Sequence, residues 1–335
     1  ILGPSVEEYY QGNHDKLHKA VVEIDDKVQL IMSLRHGEPF KIFPYGKNNN
    51  IRWYSPKEKI AQSIDNDRSL FIKNIFTLLN QSAHANNYDQ FNSFIAKIRI
   101  YQEQNGGNSL PSVTQIIAEL TYNRIPFASI LFMLNLTMGF MTLLYSVYRL
   151  TSNKTHTYKT NKIISYSSMG MMSISFITLT YCEILRWIIS KSIPMANGYE
   201  TKLLLAWFVM LFSIIFYRKF KILIAFGFLM SGFFLLVSHI GQMDPQITPI
   251  MPVLSSPLLS IHVSIIMMSF ALLSLTFICG LTALILYYTH RMKHDEATII
   301  DEQLSSLCLI SKLLLYPAIT TLGIGIFIGA IWANV

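Results

Sequence analysis

Residues 261–288 read IHVSIIMMSFALLSLTFICGLTALILYY, 28 consecutive positions without one Lys, Arg, Asp or Glu. A hydrocarbon core about 30 Å thick is crossed by roughly 20 residues of helix, so this stretch spans with turns to spare. Backbone amides in lipid have no water to bond to, and a single segment satisfies them only as a helix. Five further stretches meet the same test: PFASILFMLNLTMGFMTLLYSVY (126–148), IISYSSMGMMSISFITLTYCEILRWII (163–189), KLLLAWFVMLFSIIFY (202–217), ILIAFGFLMSGFFLLVSHI (222–240) and LCLISKLLLYPAITTLGIGIFIGAIWA (307–333). The fold class is all-α, a polytopic membrane bundle of about six transmembrane helices.

The composition agrees and locates a second part. Of 335 residues 51% are hydrophobic and 14% charged, against about 25% charged in ordinary soluble domains. The charge is uneven: residues 1–125 hold 14 of the 27 Lys+Arg and 13 of the 20 Asp+Glu. The sequence therefore divides into a polar domain, 1–125, and a membrane domain, 126–335. Three cysteines, Cys182, Cys279 and Cys308, sit in apolar stretches and offer no CxxC or zinc spacing, which excludes a disulfide framework. The net charge of +7 comes from residues scattered or placed beside apolar spans, which reads as topology and gives no nucleic-acid site. Matching triplets of broken spans, the mark of an inverted-repeat transporter, are not apparent.

Basic residues orient the bundle. Arg149, Lys154, Lys159, Lys162, Arg218, Lys219, Lys221, Arg291 and Lys293 follow the first, third and fifth spans, whereas Gly241–Ser260 carries no Lys or Arg. The positive-inside rule puts those nine in the cytoplasm. The polar domain and the loops around Lys191 and 241–260 then face outward, which in a bacterial inner (cytoplasmic) membrane means the periplasm. The extracytoplasmic domain reads as mostly helical. Phe91, Phe94, Ile95, Ile98 and Tyr101 recur at spacings of three and four and predict one apolar face. Residues 5–34 and 66–83 carry weaker helical patterns, FPYGKNNNIRWYSP (43–56) reads as a loop, and a helix over 112–123 is expected to run straight into the first span. His14, His18 and His36 lack cysteines at ligand spacing and read as ordinary polar residues.

Polar groups inside membrane spans are costly and point to function. Four features stand at the outward ends. Glu183 and Arg186, with Trp187, are spaced to pair on one helix face; alternatively Arg186 meets an anionic group, such as a propionate, brought to that surface. PMANGYET (194–201) is a compact turn around Asn197. SHIGQMDPQITPIMPVLSSP (238–257) carries four prolines and a single charge, Asp244, and suits a stiff segment lying under a flat apolar ligand. His262 stands at the mouth of the fifth span and His239 at the end of the fourth. A lone interfacial histidine is ordinarily a satisfied polar group, but imidazole is also a common axial ligand of haem iron.

In this order, together with LRW (185–187), PMANGYE (194–200), MDPQITPIMPVL (243–254), IHVS (261–264), GIFIGAIWAN (325–334) and AELTYNRI (118–125), the sequence resembles the CcsA/ResC cytochrome c assembly proteins. These are the System II cytochrome c synthases, or haem lyases, and the match is to the fused ResB–ResC type of Bacteroidetes. The resemblance covers 118–335 well and the outer domain loosely. It implies delivery of haem b to the periplasmic face and its attachment to the CXXCH thiols of apocytochrome c. Partners implied are apocytochrome c, a ResB-like half or the rest of a fused chain, thiol-reducing proteins and membrane lipid. His262 matches the family's first periplasmic haem-ligand histidine; Arg186, Asn197, Asp244 and Trp332 fall in the haem-site surroundings. The thioether chemistry belongs to vinyl groups and thiols, so the protein's part is positioning and redox protection.

The chain departs from the family pattern at Lys191 and Ser192, where Gly-His is frequent. The family's WWD segment is expected immediately after Asn334, and two further histidines after that. The sequence thus reads as a window from a larger synthase, expected to be inactive by itself. A different class, an exporter of haem or another amphipathic molecule without a lyase step, is the alternative reading.

Overall fold

A computed structural model describes residues 3–12, 14–36, 38–47, 50–56, 58, 66–151, 158–195, 197–240, 246–247, 256–292 and 297–334. The chain forms two compact units, Ile1–Ser112 and Val113–Val335.

The first unit contains α1 (Gly3–Tyr10), α2 (Lys16–His36), a hairpin of β1 (Phe43–Lys47) and β2 (Asn50–Tyr54), α3 (Asn66–His84) and α4 (Tyr88–Asn105). Its core joins Phe43 of β1 to Ile72, Ile75 and Leu79 of α3 and to Ile98 and Tyr101 of α4. Asn87 caps α4 by accepting from the Gln90 amide at 3.1 Å, which satisfies one of the orphan donors at a helix start. Phe91 and Phe94 pack on this core as the periodicity predicts, whereas Ile95 is 44% exposed and lies off the stripe.

The stretch read as a loop over 43–56 is instead an antiparallel pair, with Phe43 opposite Tyr54 and Tyr45 opposite Arg52. Phe43, Tyr45, Ile51 and Trp53 are strand-favouring types in alternation. Pro44 is tolerated because a two-stranded sheet consists of edges. The Gln102 side chain fastens the hairpin to α4 by donating to the Ile42 carbonyl at 2.9 Å.

The second unit is a bundle of α5 (Val113–Arg124), α6 (Phe127–Thr151), α7 (Tyr158–Ser190), α8 (Gly198–Phe216), α9 (Leu223–Ile240), α10 (Pro257–Met292) and α11 (Ala297–Ala333). Helices α6 to α11 contain six stretches long and apolar enough to cross a membrane. The expected straight run into the first span is broken: α5 ends at Arg124, and α6 begins after Ile125 and Pro126. Proline has no amide to donate and pushes the residue before it out of the helical region.

The short helices α8 and α9 lie innermost. On one side Leu203, Ala206 and Met210 of α8 and Phe228 and Leu235 of α9 join Leu131 of α6 and Met172 and Leu179 of α7. On the other, Leu205, Val209, Leu223 and Phe226 meet Leu272 and Leu275 of α10 and Ile310 and Leu314 of α11. Glycines let α6 and α9 approach closely: a Cβ at Gly139 would fall 2.8 Å from the Leu229 amide nitrogen, and one at Gly232 2.8 Å from that of Leu136. Small residues at such crossings allow dispersion contacts between backbones, which lipid tails do not replace.

A buried polar set also ties the bundle. Ser175 of α7 donates to Asn135 of α6 at 2.7 Å, and Asn135 donates to Ser231 of α9 at 3.1 Å. Many of the remaining apolar side chains point outward, among them Phe140, Ile177, Leu284 and Phe327. That inverted surface is what a bilayer requires and water penalises.

Candidate functional site

Of the residues singled out from the sequence, Arg186, Asn197, His239, His262 and Trp332 lie at one end of the bundle, where α7 and α9 end, α8 and α10 begin, and α11 finishes. Arg186 is in the last turns of α7 and has no exposed surface. Its guanidinium donates to Glu200 Oε1 through Nε at 3.2 Å and through a terminal nitrogen at 2.7 Å. The other terminal nitrogen donates to the Tyr122 hydroxyl of α5. The rings of Tyr122 and Tyr199 flank the cation, with centroids 5.3 and 5.1 Å from its central carbon. Burial lifts the Tyr122 phenol above its ordinary value of 10.0, so it meets the guanidinium as a neutral hydroxyl.

Glu183 is therefore not the partner that its spacing from Arg186 suggests. Among the described residues its Oε1 is buried without a hydrogen-bond partner. Gln115 of α5 closes the same end of α7 by donating to the carbonyls of Ile188 and Ile189 at 3.2 and 3.3 Å. Carbonyls in the last turn of a helix have no partner within it, and a buried helix end needs such a donor.

The turn from α7 to α8 is built around two local devices. Lys191 takes φ of +58°, a left-handed conformation that glycine adopts without cost. Asn197 caps α8: its side-chain oxygen accepts from the Glu200 amide at 2.9 Å. Glu200 stands at the third helical position, as in a capping box, and sends its carboxylate to Arg186. Asn197, Glu200 and Arg186 thus form one chain of contacts that sets the turn.

From this turn the contacts reach α10. The Ser264 hydroxyl lies 3.4 Å from the Met195 sulfur. About two turns back along α10, Ser256 precedes Pro257 at the helix start, an arrangement that suits proline's fixed φ and missing amide. His262 is half-buried in the second turn. Its Nδ1 is 2.7 Å from the Gly325 carbonyl of α11. A carbonyl only accepts, so Nδ1 carries the proton and, in the neutral ring, Nε2 holds the lone pair. This is how metal-binding histidines are oriented, with one nitrogen tied to a carbonyl and the other left for the metal. The donor set thus fits haem iron, which Nε2 would hold.

Trp332 is half-buried on α11, three residues beyond Gly329. Asp244 and most of the proline-rich segment lie outside the described residues. His239, exposed at the end of α9, packs on Phe132 with ring centroids 5.3 Å apart and lies 3.4 Å from the Ser129 hydroxyl.

Residues 195–335 match the family of Cytochrome C assembly proteins. The curated protein NrfI of Wolinella succinogenes is 29% identical over 94% of this chain. These matches support a likeness to the CcsA/ResC cytochrome c assembly proteins. The CcsA-type cytochrome c biogenesis protein of Chlamydomonas reinhardtii is 28% identical over 49% of the chain, and that of Ranunculus macranthus 32% identical over 35%. The chain spans 34% of NrfI and 48% of the Chlamydomonas protein, about a third to a half of their lengths. The site end falls largely within the matched residues, with Asn197, Glu200, His262, Gly325 and Trp332 inside and Arg186 and Tyr122 before them.

Reading the sequence did not single out Glu200, Tyr122, Tyr199 or the α11 glycines as site residues. For Glu200 a signal existed, the Asn-x-x-Glu spacing of a cap. For Tyr122 and Gly329 none did, because their partners lie 64 and 67 positions away in the chain.

Proposed function

We propose that this chain is a CcsA/ResC-type protein that takes part in cytochrome c biogenesis in a bacterial inner membrane, holding haem b through His262 at the periplasmic face. There the haem is joined to the CXXCH thiols of apocytochrome c. The polar domain, residues 1–125, stands in the periplasm, and the membrane domain, 126–335, carries the haem site. Thiol-reducing proteins and the remainder of the synthase act with it. The observation that carries this reading is the hydrogen bond from His262 Nδ1 to the Gly325 carbonyl, which leaves Nε2 for iron.

Within this reading Arg186 and Asn197 serve the haem from a distance. Arg186 is held by Glu200 and Tyr122, so its part is to fix the turn that lies against α10. Asn197 caps the helix that presents Glu200. Asp244 and Trp332 belong to the haem surroundings on the strength of the family resemblance.

A His262→Ala change in the genomic copy, with a CXXCH reporter exported to the periplasm, tests the proposal. Covalent haem on the reporter is expected to fall to background while the membrane protein accumulates normally. Undiminished attachment would refute it. Loss of attachment with continued appearance of free haem outside would favour the exporter reading.

A further inference from the structure

The imidazole of His262 leans on α11 at a point where that helix has no side chain. A Cβ placed on Gly329 would fall 2.6 Å from Cε1, 2.8 Å from Nδ1 and 3.2 Å from Nε2 of the ring. Four residues earlier on the same face, Gly325 supplies the carbonyl that Nδ1 bonds. A Cβ on Gly325 would meet something different, Cδ1 and Cγ1 of Ile266 at 2.7 and 3.0 Å. The end of an isoleucine can turn aside, whereas a ring held by a hydrogen bond cannot move and keep it. The two glycines are thus unequal: one lends a carbonyl, and the other leaves the volume in which the ring lies.

We infer that Gly329 is a positioning residue for the haem ligand: its missing side chain lets the His262 ring reach the Gly325 carbonyl, which fixes the proton on Nδ1 and keeps Nε2 for iron. The inference rests on His262 binding haem, and its predicted tautomer also holds without haem.

The test uses the purified chain in detergent and four variants, Gly329→Ala, Gly325→Ala, His262→Gly and the double variant His262→Gly with Gly329→Ala. Two quantities are read: haem affinity from the Soret band, and the tautomer from 15N shifts of labelled histidine, assigned by the signal lost in His262→Gly. Outer-shell changes at ligating histidines typically weaken binding about 10- to 100-fold. Gly329→Ala is expected to lose affinity in that range and to lose the Nδ1-protonated signature, and Gly325→Ala, which keeps the carbonyl and displaces only Ile266, to lose less of both.

Should Gly329→Ala fail to fold, the double variant decides, because removing the ring removes the clash. A folded double variant supports the seat, and a misfolded one overturns it. Parental affinity and tautomer in Gly329→Ala would also overturn it. If His262→Gly itself leaves the haem spectrum unchanged, the haem-ligand reading fails; an Nδ1-protonated signature that Gly329→Ala abolishes would still establish the seat.

Discussion

Arg186 and Glu200 form a fully sequestered ion pair, 2.7 Å apart, with side chains 0% and 4% exposed. Removing one partner of such a pair leaves a bare charge in an apolar setting, which costs about 3–5 kcal/mol. Arg186→Met and Glu200→Leu are each expected to destabilise the bundle by that order. Combining them should cost less than the sum, because neither charge is then orphaned. Thermal unfolding in detergent, arranged as a double-mutant cycle, measures the coupling; additive losses would show that the two act separately.

Asn197 offers a finer test of the same turn. Its side chain accepts from the Glu200 amide, and replacing such a cap by alanine typically costs about 1 kcal/mol. Asn197→Ala should lower the unfolding midpoint and raise hydrogen exchange in the first turn of α8. Asn197→Asp, which keeps the acceptor, should retain most of the stability.

Lys191 is the converse case, a residue whose conformation another residue adopts more readily. Its φ of +58° costs an L-residue about 1–2 kcal/mol relative to the right-handed region. Lys191→Gly is therefore expected to stabilise the chain by about 1 kcal/mol, and Lys191→Val to destabilise it. The same unfolding assay reads both.

How much of this was visible beforehand follows from the range of the physics involved. The six spans were legible because lipid demands about 20 apolar residues in a row, and that demand is written locally, as at 261–288. The hairpin at 43–54 was obscured by Pro44, Gly46 and three asparagines, which signal turns, while the alternation of Phe43, Tyr45, Ile51 and Trp53 is short. Spacing alone joined Arg186 to Glu183, three residues away. The fold instead supplies Glu200, because the α7–α8 turn brings the start of α8 beside the end of α7. The seat of His262 was illegible for a related reason: it depends on the register of α11 against α10, which no local pattern fixes.

In the first unit a pH response is built at the α1–α2 junction. His18 lies 2.8 Å from Glu8 through Nε2 and hydrogen-bonds Asp15 through Nδ1. The hydrogen bond with Asp15, then that with Glu8, raises the imidazole above its ordinary 6.5. The His18 amide, then its side chain, holds the Asp15 carboxyl below its ordinary 3.8. A raised histidine contributes stability that is complete below its unfolded value and fades as pH rises through the folded one. A lowered carboxyl contributes above its unfolded value and fades as pH falls through the folded one. The junction should be firmest between about pH 4 and 6.5 and loosen as pH rises through the raised histidine value. Hydrogen exchange in α1 at pH 6 and 8 should show this, and His18→Gln should abolish the difference.

The central claim is that His262 presents Nε2 to haem iron, and the most direct measurement is the absorption spectrum of the purified chain beside His262→Gly, with and without imidazole. The account predicts a Soret band in the parent, its loss in the variant, and its return when imidazole fills the vacated place. A variant whose band persists unchanged without imidazole would contradict the account.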